Sequence, residues 1–220
     1  MSAPENCPSS QPNPLLLNAI ADDLQIKGYS ITPHALPPLL VDSLLQQLLT
    51  TPSAEFAPAG IGRATDKVLD QSVRRDSISW ITGDSATSRL WLEWAGQLQR
   101  SLNQQLFLGL FSFECHFAHY GTGDFYRRHL DAFKGEGNRV LSVVLYLNPD
   151  WQEDDGGELV LYPEAAGIAG VMVAPAHGTL VLFLSEDFEH EVKPARRDRY
   201  SIAGWFRLNS SSALRADPPR

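Results

Sequence analysis

The sequence predicts a mainly β fold with N-terminal helices, a double-stranded β-helix (jelly-roll) core packed against helices. Three observations carry that expectation. The hydrophobic period is helical through Asn103 and becomes strand-like from Phe111 onward. Eight short apolar or alternating runs then recur at close spacing, with no long helical insert. They are separated by turn clusters such as KGEGN, PDWQEDDGG, PAHG and PARRD, the pattern of an antiparallel sandwich or barrel.

The elements follow in order. Residues 1–13 are rich in Pro, Ser and Asn and read as a disordered leader. Pro14 stands where a first helical position should, and LLLNAIADDLQIKG keeps helical spacing until Gly28 stops it. YSIT is a brief strand. LPPLLVDSLLQQLLT reads as a second helix, begun by Pro37 or Pro38 and amphipathic through Leu40, Leu44, Leu45 and Leu48. Residues 51–72 read as a loop rich in Gly, Ala and Pro. DSISWITGD alternates like a strand and ends in a Gly-Asp turn. Leu90, Trp94, Leu98 and Leu102 recur every fourth residue, which makes Ser85 to Asn103 a third helix. The strand runs are FSFECHFAHY, YRRHLD, RVLSVVLYLN, GELVLYP, GVMVAP, GTLVLFL, EHEVKP and RYSIAGWFRL. The expected organisation is a single domain over 14–207, with its β core at about 111–207, and a C-terminal tail over 208–220.

Length and composition fit that plan. A chain of 220 residues, 43% apolar, is long enough for one domain with a real core. Eighteen basic against 26 acidic residues give a net charge of −8, which argues against dependence on nucleic acid phosphates. Of the two cysteines, Cys7 lies in the polar leader and Cys115 in an alternating apolar run, so a disulfide framework is excluded and Cys115 reads as a small buried side chain. The N-terminus has neither the basic nor the apolar region of a secretory signal, and no run approaches eighteen apolar residues. The expected location is cytoplasmic, with neither a membrane nor a nucleic acid as partner.

The chemistry concentrates in YRRHLDAF. His129 and Asp131 are two apart, and on a strand such side chains share a face, so imidazole and carboxylate could close on one metal ion. With six histidines and 26 acidic residues, roughly 0.7 such pairs arise by chance, so the pair needs a third ligand. His34 is placed in the helical leader and His177 in an exposed turn. His116 and His119 have opposite strand phases, so at most one points inward. His190, at the start of a late strand, is the third candidate. Two histidines and one carboxylate suit non-haem Fe(II), which keeps open positions for dioxygen chemistry, and they also suit catalytic zinc.

Arg199 separates these readings. The turn residues of PARRDR place it on a strand neighbouring that of His190. Alternation puts it on the face of Ser201, Ala203 and Trp205, small side chains and one aromatic that fit a lined cavity. An inward arginine needs an anion, and the far carboxylate of a metal-bound keto diacid matches its fork. By themselves Tyr146 reads as a core tyrosine, and Arg74 with Asp76 as a solvated surface pair.

HLD at 129–131 followed by HEVKPARRDRYSIAGW at 190–205 resembles the prolyl hydroxylase domain oxygenases, the Fe(II) and 2-oxoglutarate enzymes that include the animal HIF prolyl hydroxylases. VRRDSISWITGD, YGTGDFYRRHLD, VLYLNPDW and GGELVLYPE extend the resemblance over about 73–207. The resemblance implies Fe(II) held by His129, Asp131 and His190. Arg199 and Tyr146 would receive the far carboxylate of 2-oxoglutarate. Tyr120, Tyr126 and Trp205 would line the pocket for the target proline, and Arg74 and Asp76 would lie near a mobile loop at 59–72, with Gly60 and Gly62, that closes over substrate. The implied reaction is hydroxylation of a prolyl residue in a protein, with O2 consumed, succinate and CO2 as co-products and ascorbate as reductant. Bacterial relatives offer the translation factor EF-Tu as that protein. The alternatives are an oxygenase acting on another residue or a small molecule, and a cupin-like metal-binding module without turnover. Three departures stand out. Ala203 replaces a threonine of the animal enzymes, one residue fewer separates Tyr120 from His129, and the chain ends soon after its last strand.

Overall fold

The computed structural model describes residues 11–60, 70, 72–132, 138–163 and 170–209. Three helices precede the β core. α1 (Pro14–Lys27) is capped by the Asn13 side chain, which accepts the Leu15 N–H, and ends at Gly28 with φ 76°. That left-handed conformation suits glycine, and its N–H returns to the Leu24 carbonyl. β1 (Tyr29–Thr32) leads into α2 (Pro38–Thr50). A two-residue strand, β2 (Ala57–Pro58), pairs with β3 (Ser77–Trp80). α3 (Ala86–Leu106) opens on Ser85, whose side chain accepts the Ser88 N–H, and closes on Phe107 at φ 55°.

The eight expected core strands all form: β4 (Ser112–Tyr120), β5 (Tyr126–His129), β6 (Arg139–Tyr146), β7 (Leu159–Pro163), β8 (Val171–Val173), β9 (Leu180–Leu184), β10 (Phe188–Val192) and β11 (Arg199–Arg207). They close into two facing antiparallel sheets. The larger runs β1-β9-β6-β11-β4-β3-β2 and the smaller β5-β10-β7-β8. This is the double-stranded β-helix, with the helices packed on the outer face of the larger sheet.

Strand alternation divides the apolar residues into two cores. Phe113, Cys115, Phe117, Leu141, Val143, Leu145, Ile202 and Phe206 point at the helices and meet Trp91, Trp94, Leu98 and Leu102 of α3. The opposite phase faces the small sheet, where Ala118, Tyr120, Tyr146, Val181 and Phe183 meet Leu159, Leu161 and Phe188. Burying whole apolar side chains on both faces, at about 1.5–3 kcal/mol each, makes the larger sheet a rigid support for whatever lies between the sheets.

Several expectations shift. His34 is not in a helix but in the turn after β1, at φ 52°. His177 is half-buried, with Nε2 3.2 Å from Asp42 Oδ1. Cys115 is buried as read, accepts from the Trp91 indole at 3.4 Å, and burial pushes its thiol up to about 12. Most of the expected leader, tail and 59–72 loop, including Gly62, lies outside the described residues.

Candidate active site

The three expected metal ligands converge. One ligating atom from each of His129, Asp131 and His190 lies within 4.8 Å of the others. His129 Nε2 is 3.6 Å from Asp131 Oδ1, and His190 Nε2 is 3.7 Å from Asp131 Oδ2. The two histidines face each other across the β5–β10 pair, as direct Cα partners. Asp131 arrives by another route than expected. β5 ends at His129, so the carboxylate comes from the bend that follows, not from a shared strand face.

The surroundings orient each ligand. His129 Nδ1 lies 2.7 Å from the Arg127 carbonyl and His190 Nδ1 3.2 Å from that of Phe188. If each Nδ1–H donates there, both Nε2 atoms present lone pairs to the centre. Burial lowers His190 to about 4, against the partial opposition of Asp131, so it is a neutral donor at neutral pH. Burial alone would raise Asp131, but His190 and His129 outweigh it and hold the carboxyl well below its usual range. Its Oδ2 accepts from Ser142 Oγ at 2.7 Å, and Ser142 Oγ lies 2.9 Å from Ser185 Oγ.

Tyr126 and His129 are three apart and would face opposite ways on a regular strand. A register shift between His190 and Val192 places an extra residue in β5, and both rings turn inward. They stack at 3.5 Å between centroids and 16° between planes. The Arg74 guanidinium lies 4.4 Å from the centre of the Tyr126 ring and is held by Asp76 through two 2.6 Å bonds, Nε to Oδ1 and Nη2 to Oδ2. Arg74 and Asp76 are therefore not a solvated surface pair, for their side chains are 12% and 0% exposed.

Arg199 lies on the larger sheet, opposite β10 of the smaller one. It and His190 thus occupy facing sheets where neighbouring strands were expected. Only 2% of Arg199 is exposed. Its Nε donates to the Gly157 carbonyl at 2.9 Å, and its guanidinium carbon lies 5.0 Å from both the Tyr120 and Tyr146 rings. Among the described residues no carboxylate pairs with this cation, and the buried Tyr146 hydroxyl has no acceptor, with the same guanidinium as a polar neighbour. A buried cation beside an orphaned hydroxyl fits the carboxylate of a guest. Tyr120, expected beside the target proline, packs against the guanidinium in this fork. Trp205 is buried, with Arg139 stacked 3.5 Å over its ring, and Ser142 is its cross-strand partner.

A family model for the 2OG-Fe(II) oxygenase superfamily matches residues 115–207. A solved Pseudomonas putida prolyl-4-hydroxylase is 42% identical and superposes with a TM-score of 0.80, over 88% of this chain and 100% of that one. The chain belongs to the 2OG-Fe(II) oxygenase superfamily. A second oxygenase structure, a Trichoplax adhaerens prolyl hydroxylase with a HIF oxygen degradation domain peptide, is 32% identical with a TM-score of 0.78, covering 88% of this chain and 89% of that one. The human Egl nine homolog 1 is 33% identical over 158 residues, 66% of this chain. The present chain spans about a third of that relative's length, 36%. Membership implies Fe(II), 2-oxoglutarate and O2, and the oxygenase site offers a donor set and a buried cation that fit the first two.

Sequence reasoning did not find Ser142, Ser185 or Gly157. A serine on a strand, as Ser142 is, or in the turn just after one, as Ser185 is, carries no signal of its own. Gly157 could have been flagged from the Gly156-Gly157 pair, both at positive φ in this oxygenase.

Proposed function

We propose that this oxygenase hydroxylates a prolyl residue in a protein, with Fe(II) at His129, Asp131 and His190 and 2-oxoglutarate bound between that centre and Arg199. The observation that carries the reading is the buried Arg199 guanidinium without an anionic partner among the described residues. A zinc hydrolase or a passive metal-binding module has no use for such a fork, whereas a diacid cosubstrate does. Bound iron and 2-oxoglutarate supply the oxidation by O2, with succinate and CO2 as co-products and ascorbate keeping the iron reduced.

The chain's own residues bind, orient and exclude water. Arg199 and the Tyr146 hydroxyl receive the far carboxylate, and Tyr120 walls the fork. Tyr126 and Trp205 flank the entry for a pyrrolidine ring, with Arg74 and Asp76 behind Tyr126. The prolyl hydroxylase relatives support a protein substrate, and the Trichoplax enzyme was solved with a peptide. EF-Tu in the cytoplasm is the specific candidate. Among the described residues no helix is long and apolar enough to cross a membrane.

The test incubates the chain with Fe(II), 2-oxoglutarate, ascorbate and EF-Tu or its proline-containing peptides. The expected result is the mass of one added oxygen on a proline, matched by succinate. Succinate coupled to oxidation of another residue or a small molecule would replace the substrate assignment. O2 uptake without any succinate would remove the reaction.

A further inference from the structure

The column Asp76–Arg74–Tyr126–His129 joins a fully buried carboxylate to one of the convergent imidazoles. Each link is short: two 2.6 Å hydrogen bonds from Arg74 to Asp76, a 4.4 Å guanidinium-to-ring distance and a 3.5 Å ring stack. The backbone holds the column in register. Arg74 and Tyr126 form a β-bridge, flanked by Arg127 N–H to Val73 carbonyl at 2.8 Å and Arg75 N–H to Phe125 carbonyl at 3.1 Å. Burial works against the charge of Arg74, but the Asp76 bonds and nearby groups outweigh it, so the cation over Tyr126 is permanent. His129 is then fixed on three sides: by Tyr126, by the Arg127 carbonyl and by the His190 ring at 4.2 Å.

We infer that Tyr126 and Arg74 are positioning residues for the metal centre, setting the plane of His129 whether or not they also touch the substrate. The inference rests on the proposed function only in taking His129 as a ligand. A cation stacked on a tyrosine and a tyrosine stacked on an imidazole restrict rotation of the ring about its own bonds. A restricted ring meets the metal without losing freedom on binding, which is how outer groups raise affinity. The phenol oxygen has no part in this. The ring face is what matters, so phenylalanine should serve and an aliphatic side chain should not.

The test titrates Co(II) into the full chain, stripped of metal and saturated with 2-oxoglutarate, and follows the visible absorption of the bound ion, which reports ligand geometry. Tyr126→Phe should bind within about twofold of the parent with the same spectrum. Tyr126→Leu, Tyr126→Ala and Arg74→Ala should each bind about tenfold more weakly, the scale of outer-group losses at metal sites, with altered band intensities. Tyr126→Leu keeps apolar bulk and decides the matter if the alanine variant fails to fold. Parent-like affinity and spectrum in Tyr126→Leu and Arg74→Ala would overturn the inference and leave both residues as substrate contacts. A parent chain that takes up no Co(II) would overturn the function reading itself.

Discussion

Replacing Arg199 by alanine separates the two halves of the site. The guanidinium spends Nε on the Gly157 carbonyl, and the proposed function gives its two terminal nitrogens to the guest carboxylate. Two hydrogen bonds to a carboxylate are worth about 1.5–3 kcal/mol each. Water admitted to the space left by the side chain solvates the carboxylate and offsets part of that, so a net loss of about 3 kcal/mol is expected, roughly 100-fold in the dissociation constant for 2-oxoglutarate. The metal ligands sit on the facing sheet and the loop after β5, and none of them contacts Arg199 among the described residues. Mn(II) affinity without 2-oxoglutarate should therefore change less than about threefold. Calorimetric titration of each ligand into Arg199→Ala measures both. Arg199→Lys should fall between, because an ammonium keeps charge but loses the fork. Equal losses of diacid and metal would refute the reasoning, since one residue would then be supporting the whole cavity.

Two further outcomes follow from the geometry. Gly157→Ala puts a side chain at φ +70° with Cβ 2.9 Å from Ala195 Cβ and 3.3 Å from Arg199 Cδ, so it should cost about 1–3 kcal/mol in thermal or urea unfolding and weaken 2-oxoglutarate more than metal. Undiminished diacid affinity would show that the fork tolerates the shift. In the metal-free protein, burial depresses His116 to about 3 and His190 to about 4, below the unfolded value of about 6.5. The unfolded chain then binds protons first as pH falls, so stability is intact above about pH 6.5 and declines toward pH 4, each histidine contributing up to about 1.4 kcal/mol per pH unit. Asp131, depressed below the usual carboxylate value, loses its contribution only under that window. His116→Met should remove about half of the slope between pH 6 and 4.5 in urea unfolding, and an unchanged slope would contradict the burial argument.

The β core was legible because each strand alternates between two apolar faces and is bounded by turn residues. β2 was not, since two residues including an edge proline give no period. α3 runs past Asn103 to Leu106 because Phe107, an unusual residue for φ 55°, is its stop. Residue chemistry and family resemblance together located the ligands and Arg199. The means of convergence stayed hidden: Asp131 lies off the strand, and the extra residue in β5 turns Tyr126 inward. Both depend on backbone register across strands about 60 residues apart, which local patterns do not record.

The direct pairing of His129 with His190 makes the centre a vernier on strand register. Sliding β5 by one residue would send one imidazole out of the cleft and break the Arg74–Tyr126 bridge, while leaving the larger sheet and the outer hydrophobic layer almost untouched. Length changes near this site must therefore be absorbed in the turns on either side of β5. A chain could lose its chemistry through one inserted residue there and still fold to the same silhouette.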